Sequence, residues 1–145
     1  MLTDTAVLTW IEQTALSRAV RQSDWAVMAL EAVHLLGLAL LGGSAVIVAL
    51  SSLRRSPPSL GTFVAELRPV ALAGLILMAL SGALIAWSMP FKYYNNSAFQ
   101  WKMVLLICAL AAAYRLTNQP SRILALLSLM LWLGVGFSGR LIGFL

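Results

Sequence analysis

Cysteine, histidine and charge are scarce in this sequence. Its 145 residues include one cysteine, Cys108, and one histidine, His34, and only 10% of them are charged. A lone cysteine excludes a disulfide framework and a cysteine-rich metal site, and a lone histidine excludes a multi-histidine site within one chain. Hydrophobic residues make up 61% of the chain, whereas soluble domains average about 45–50% apolar. This composition excludes disorder and strongly disfavours a soluble enzyme domain.

Four apolar stretches are long enough to cross a bilayer as helices, which takes about 20 residues each. They cover residues 25–53, 69–89, 97–116 and 123–144. Short connections at 54–68, 90–96 and 117–121 make consecutive helices antiparallel. We therefore expect an all-α integral membrane four-helix bundle, up-down-up-down, forming a single membrane domain over residues 1–145. Residues 3–22 are a candidate interfacial helix that precedes the bundle, or equally a cap over one end of it.

The distribution of positive charge does not settle the orientation in the membrane. The side of the first and third connections and the opposite side each carry five basic residues, namely Arg54, Arg55, Arg68, Arg115 and Arg122 against Arg18, Arg21, Lys92, Lys102 and Arg140. The arginines of the first set directly flank the spans, which favours a cytoplasmic position for them. We expect a bacterial inner-membrane protein with both termini in the periplasm. The net charge is +5, but the sequence has no basic stripe interleaved with aromatic residues. Nucleic acid is therefore not an expected partner.

Four ionisable side chains lie at the same end of the predicted spans. Charged groups cost about 2.5–3.5 kcal/mol each in the centre of a membrane helix, so those that occur carry information. Glu31 and His34 are three residues apart and share one helical face. Lys102 lies near the start of the third span and Arg140 near the end of the fourth. Because these positions belong to the same end of the bundle, we expect all four side chains to converge in one leaflet, the outer one.

This cluster has two interpretations. In the first it is an ion-pair lock, in which Glu31 neutralises Lys102 or Arg140. In the second it is a binding site for a cofactor, a quinone, a lipid headgroup or a partner protein. Small residues spaced four apart in the spans, such as Gly82/Ala86 and Gly139/Gly143, are typical of close helix packing.

His34 is a candidate ligand of haem iron. A b-type haem needs an axial histidine and often a second ligand, which would have to come from a methionine, a second copy or a partner subunit. Lys102 and Arg140 would then contact the propionates. A carboxylate-bridged di-metal site is disfavoured, because it needs a second Glu-x-x-His motif and further glutamates.

The run Glu31-Ala-Val-His-Leu-Leu-Gly-Leu-Ala-Leu-Leu-Gly42 resembles the opening of a family of small bacterial inner-membrane proteins with no assigned function. Later features that also resemble the family are Pro69 with Gly74 and Ser81-Gly82, the segment from Tyr94-Asn95-Asn96 to Lys102, and Gly139-Arg140. The resemblance covers roughly residues 24–145 and implies a four-helix inner-membrane protein. There is a fainter similarity to four-helix membrane cytochromes and copper-resistance membrane proteins, which rests on the histidine in the first helix.

Together these observations favour a small membrane subunit of a larger redox or energy-converting complex, with its binding site at Glu31, His34, Lys102 and Arg140. No nucleophile motif, P-loop or dinucleotide fingerprint is present, so we do not expect a self-contained enzyme. A structural or assembly protein is the alternative. An oligomeric ion or metal transporter is the third possibility, and it has the least support.

Overall fold

The computed structural model describes residues 2–54 and 60–141, and every regular element in this part of the chain is an α-helix. The helices are α1 (Leu2–Glu12), α2 (Ala15–Arg21), α3 (Asp24–Leu53), α4 (Leu60–Ser88), α5 (Pro90–Tyr94), α6 (Ser97–Asn118) and α7 (Arg122–Leu141). Four of them, α3, α4, α6 and α7, are long and apolar enough to cross a membrane. The predicted all-α fold with four spans is confirmed, and it indicates a multi-pass protein in a lipid bilayer.

The second span begins earlier than the sequence predicts. We expected it to start at Pro69, but α4 begins at Leu60 and contains Pro69 in its interior. A proline inside a helix removes one backbone hydrogen bond. The preceding turns are held by Val64 and Leu67, which pack against the core residues around Val48 and Leu116. This apolar contact outweighs the helix-breaking preference of the proline.

The N-terminal segment also differs from the single interfacial helix expected over 3–22. It forms α1 and α2, which are separated at Thr14, because the Thr14 side chain caps α2 by accepting a hydrogen bond from the backbone N–H of Ser17. The Ser17 hydroxyl donates to the carbonyl of Ser88 over 3.1 Å, and the Trp87 indole N–H donates to Thr14 Oγ1 over 3.2 Å. The two helices therefore dock on the end of α4.

Side-chain caps set the starting points of the helices that carry the candidate site. Ser23 caps α3 by accepting from the backbone N–H of Ala26, and Asn96 caps α6 by accepting from that of Phe99. Such caps satisfy backbone donors that have no partner within the helix. They place His34 about three turns into α3 and Lys102 between one and two turns into α6.

Helix α3 is central and contacts the other three long helices. Its closest neighbour is α4, because Gly37 and Gly74 let the two backbones meet: a Cβ atom added to Gly74 would lie 2.6 Å from the backbone nitrogen of Leu41. Helix α7 packs on another side of α3, where the Trp132 ring covers Gly42. The apolar core of this region contains Leu41, Met78, Ala109, Trp132 and Val135. The end of the bundle at which α3 begins and α4 finishes is called the His34 end.

The close approach at Gly74 makes Gly74→Ala a sharp test of the α3–α4 contact. We expect the substitution to lower the free energy of unfolding by about 1–3 kcal/mol, the usual cost of overpacking, because the methyl group meets the backbone of α3. Alanine otherwise stabilises a helix by up to about 1 kcal/mol relative to glycine. The measurement is an SDS titration of the detergent-solubilised protein followed by tryptophan fluorescence.

Gly43→Ala is the matched control, since an added Cβ at Gly43 meets nothing within 4 Å. It should leave the stability unchanged or raise it slightly. Equal effects of the two substitutions would contradict the close approach of α3 and α4.

Candidate functional site

His34 joins three helices at one point inside the bundle. Its Nδ1 lies 3.1 Å from the Ser81 hydroxyl of α4, and its Nε2 lies 3.5 Å from Lys102 Nζ of α6. The imidazole and the lysine side chain are both half-buried. The predicted convergence of His34 and Lys102 is therefore present as a direct contact.

The donors and acceptors in this contact define the protonation of the imidazole ring. The Ser81 hydroxyl donates its hydrogen to the carbonyl of Leu77 over 2.5 Å, so it accepts from His34 Nδ1–H. Nε2 is then unprotonated and accepts from the Lys102 ammonium group, which has no lone pair to offer. The result is a directional chain from Lys102 through a neutral His34 to Ser81 and the α4 backbone.

Gly82 makes room for the imidazole ring. A Cβ atom on Gly82 would lie 2.9 Å from His34 Cε1, whereas one on Gly139 would lie 3.6 Å from Lys102 Nζ, an ordinary van der Waals distance. The small residue at position 82 therefore accommodates a polar side chain from a neighbouring helix as well as allowing helices to pack. Its predicted role in helix packing becomes more specific: it positions the imidazole ring.

Glu31 and Arg140 are separate from the His34–Lys102 contact. Both side chains are exposed, and within residues 2–54 and 60–141 no ion pair joins Glu31 to Lys102 or to Arg140. In the same part of the chain Lys102 has no carboxylate within ion-pair distance. The structure thus divides the four predicted site residues into one contacting pair and two exposed charges.

Tyr93 of α5 is influenced by the charge of Glu31 at this end of the bundle. Burial raises the pKa of its phenol above the ordinary value, and the negative charge of Glu31 raises that pKa further. The Tyr93 ring also packs edge-to-face on Phe99, with the ring centres 5.3 Å apart. Glu31 and Tyr93 therefore form a second polar region at the His34 end.

Sequence reasoning missed Ser81 and Tyr93 as site residues. Ser81 entered only through the family resemblance, although a hydroxyl in an otherwise uncharged span was an available signal. Tyr93 was assigned to a connection, and nothing in its spacing indicates that it feels the charge of Glu31. Among the described residues no group of three or more histidine, cysteine, aspartate or glutamate side chains is arranged to hold a metal ion.

Comparisons of the chain with protein-family models, with curated proteins and with solved structures find no match.

The protonation of His34 is directly testable, because the chain has a single histidine. We expect ¹⁵N NMR of the protein at neutral pH to show that His34 has a protonated Nδ1 and an unprotonated Nε2. Lys102→Met removes the donor to Nε2 and should shift the ring toward the other tautomer, whereas Lys92→Met, at an exposed position outside the spans, should not. A protonated Nε2 in the unmodified protein would contradict the chain of donors.

The environment of Tyr93 predicts a pH effect. In a Tyr94→Phe/Tyr114→Phe background, ultraviolet titration should show Tyr93 ionising above the ordinary value of about 10, and Glu31→Gln should lower that midpoint. Because the folded state holds this proton to higher pH than the unfolded chain, folding stability decreases as pH rises from about 10 through the raised pKa. Ionisation at the ordinary value would show that Tyr93 is not buried beside Glu31.

Proposed function

We propose that this protein is a small inner-membrane subunit of a larger redox or energy-converting complex. In this proposal the site at His34 and Lys102 binds a membrane-dissolved ligand through an acceptor oxygen, and the ligand is a quinone. Both termini lie in the periplasm, so the site belongs to the outer leaflet. The subunit holds the ligand and does not catalyse a reaction by itself.

The observation that carries the proposal is the state of Lys102. Its ammonium group is half-buried within a candidate span, and it contacts His34 Nε2 with no carboxylate in reach in the described part of the chain. An ammonium group has three N–H donors, of which His34 uses one. A buried cation with unused donors is stabilised by an acceptor oxygen, and a quinone carbonyl supplies one without bringing a second charge into the membrane.

The ring of His34 makes the site less suitable for haem. Iron ligation requires a free ring nitrogen, but Nδ1 contacts Ser81 and Nε2 contacts Lys102. A haem would have to displace Lys102 from Nε2 and would still lack a second histidine. A carbonyl ligand needs neither change, since it adds to the free donors of the lysine.

A structural or assembly role is the second candidate function, and one specific observation favours it. His34 connects α3 to both α4 and α6 through its two ring nitrogens. Such a contact acts as a polar lock between helices even without a ligand. Under this alternative Lys102→Met lowers the stability of the bundle, and no small molecule is lost.

The test is to purify the protein in mild detergent and to identify the quinones and lipids that remain bound by mass spectrometry. We expect quinone to be enriched over the membrane extract and to be lost in Lys102→Met. The matched control is Lys92→Met, which should retain it. A reduced-minus-oxidised absorption spectrum of the same samples detects any haem.

The outcomes separate the proposals. Enrichment of an anionic phospholipid that is lost in Lys102→Met would assign the acceptor oxygen to a lipid headgroup and would contradict the quinone. A haem spectrum that disappears in His34→Ala would also contradict it. No bound small molecule, together with a less stable Lys102→Met variant, would support the polar lock.

A further inference from the structure

We propose that two copies of this chain associate through the α3–α7 face, the surface formed by Glu31 and Leu38 of α3 with Met130, Leu133 and Arg140 of α7. In the pair, Glu31 of each copy forms an ion pair with Arg140 of the other copy. This face is distinct from the His34–Lys102 contact.

The charges of Glu31 and Arg140 favour this dimer. Glu31 and Arg140 are exposed side chains within candidate spans, and neither has an ion-pair partner within the described residues. Ionisable groups in membrane segments almost always face a protein or water-filled interior and pair with an opposite charge. A second copy supplies both missing partners, a guanidinium for Glu31 and a carboxylate for Arg140.

Glu31 and Arg140 also lie at a similar depth in the bundle. Helix α3 begins and α7 ends at the His34 end, and the contact between Gly42 and the Trp132 ring marks a common level on the two helices. Glu31 lies eleven residues before Gly42, about 16 Å along α3, and Arg140 lies eight residues after Trp132, about 12 Å along α7. The difference is within the reach of an arginine side chain.

Equal depth is what a symmetric membrane dimer requires. Two copies with the same orientation in a membrane are related by a two-fold axis along the membrane normal, so each residue meets a residue at its own level. A face that carries one acid and one base at the same level is self-complementary under this symmetry. It forms two ion pairs and closes as a dimer.

The shape of the α3–α7 face also favours the dimer. Between the same two helices lies an apolar groove of about 360 Å³, which is lined by Leu38, Gly42 and Val46 on one side and by Met130 and Leu133 on the other. Met130 and Leu133 are 64% and 57% exposed and protrude beside it. Protruding side chains next to a groove allow the two copies to interlock, which drives helix association in lipid, where no hydrophobic force acts.

The experiment is cross-linking between differently tagged copies in a Cys108→Ser background. One copy carries Glu31→Cys and the other Arg140→Cys, and the two are co-expressed in membranes. Each of these copies keeps the residue needed for the second ion pair, so the dimer is retained. We expect a cross-link that carries both tags. The matched control replaces Glu31→Cys by Leu36→Cys, an exposed position on the same helix turned about 140° away, and it should give none.

Charge exchange provides the second measurement. Glu31→Arg alone and Arg140→Glu alone place like charges opposite each other and should abolish the dimer seen by light scattering in detergent. The double exchange restores opposite charges and should restore the dimer. Lys102→Met, which removes the proposed ligand site, should leave it intact, so this proposal and the proposed function fail independently.

Three results would overturn the proposal. The first is equal cross-linking from Leu36→Cys. The second is a cross-link that forms only within a single chain carrying both Glu31→Cys and Arg140→Cys, which would assign the ion pair to one copy. The third is a monomer in the unmodified protein at all concentrations.

Discussion

The close contact between α3 and α4 at Gly37 and Gly74 is the constraint on which the rest of the structure depends. Backbone atoms of the two helices meet there, and any side chain would separate them. This contact sets the rotation and the depth of α3 against α4. One turn before Gly37 it places the imidazole of His34 against Ser81 and into the space left by Gly82. The imidazole, a polar group within a membrane helix, thereby finds a hydrogen-bond acceptor in the Ser81 hydroxyl.

The protein treats its intramembrane charges in two different ways. Lys102 is directed inward and donates a hydrogen bond to a neutral histidine, which lowers the cost of burial without a counter-ion. Glu31 and Arg140 remain on the surface of the described bundle, where ionisable groups are costly unless they are paired or reach the interface. In our proposals the inner contact binds a ligand or locks the helices together, and the outer charges pair with a second copy of the chain. These two roles are physically independent, because no ion pair connects the two sets in the described residues.

Some features of the site could be predicted from local sequence and others could not. The cluster of Glu31, His34 and Lys102 at one end follows from span boundaries and from the direction in which each helix crosses the membrane. The ion-pair interpretation, in which Glu31 neutralises Lys102 or Arg140, finds no such pair within the described residues: Lys102 contacts His34 and Glu31 is exposed. The sequence also predicted the wrong start for α4. The preference of Pro69 for a helix start was outweighed by the packing of the turns that precede it.

The sequence by itself determined that this chain forms four apolar helices and that the charged residues of the candidate site, Glu31, Lys102 and Arg140, lie near one end of them. Both properties depend only on the length of an apolar run and on the position of a residue within it. The tertiary structure alone decided which polar groups touch. A contact between helices depends on how far each helix is rotated and shifted against its neighbour, and for α3 and α4 Gly37 and Gly74 set that rotation and shift, independently of the spacing of charges along any one helix.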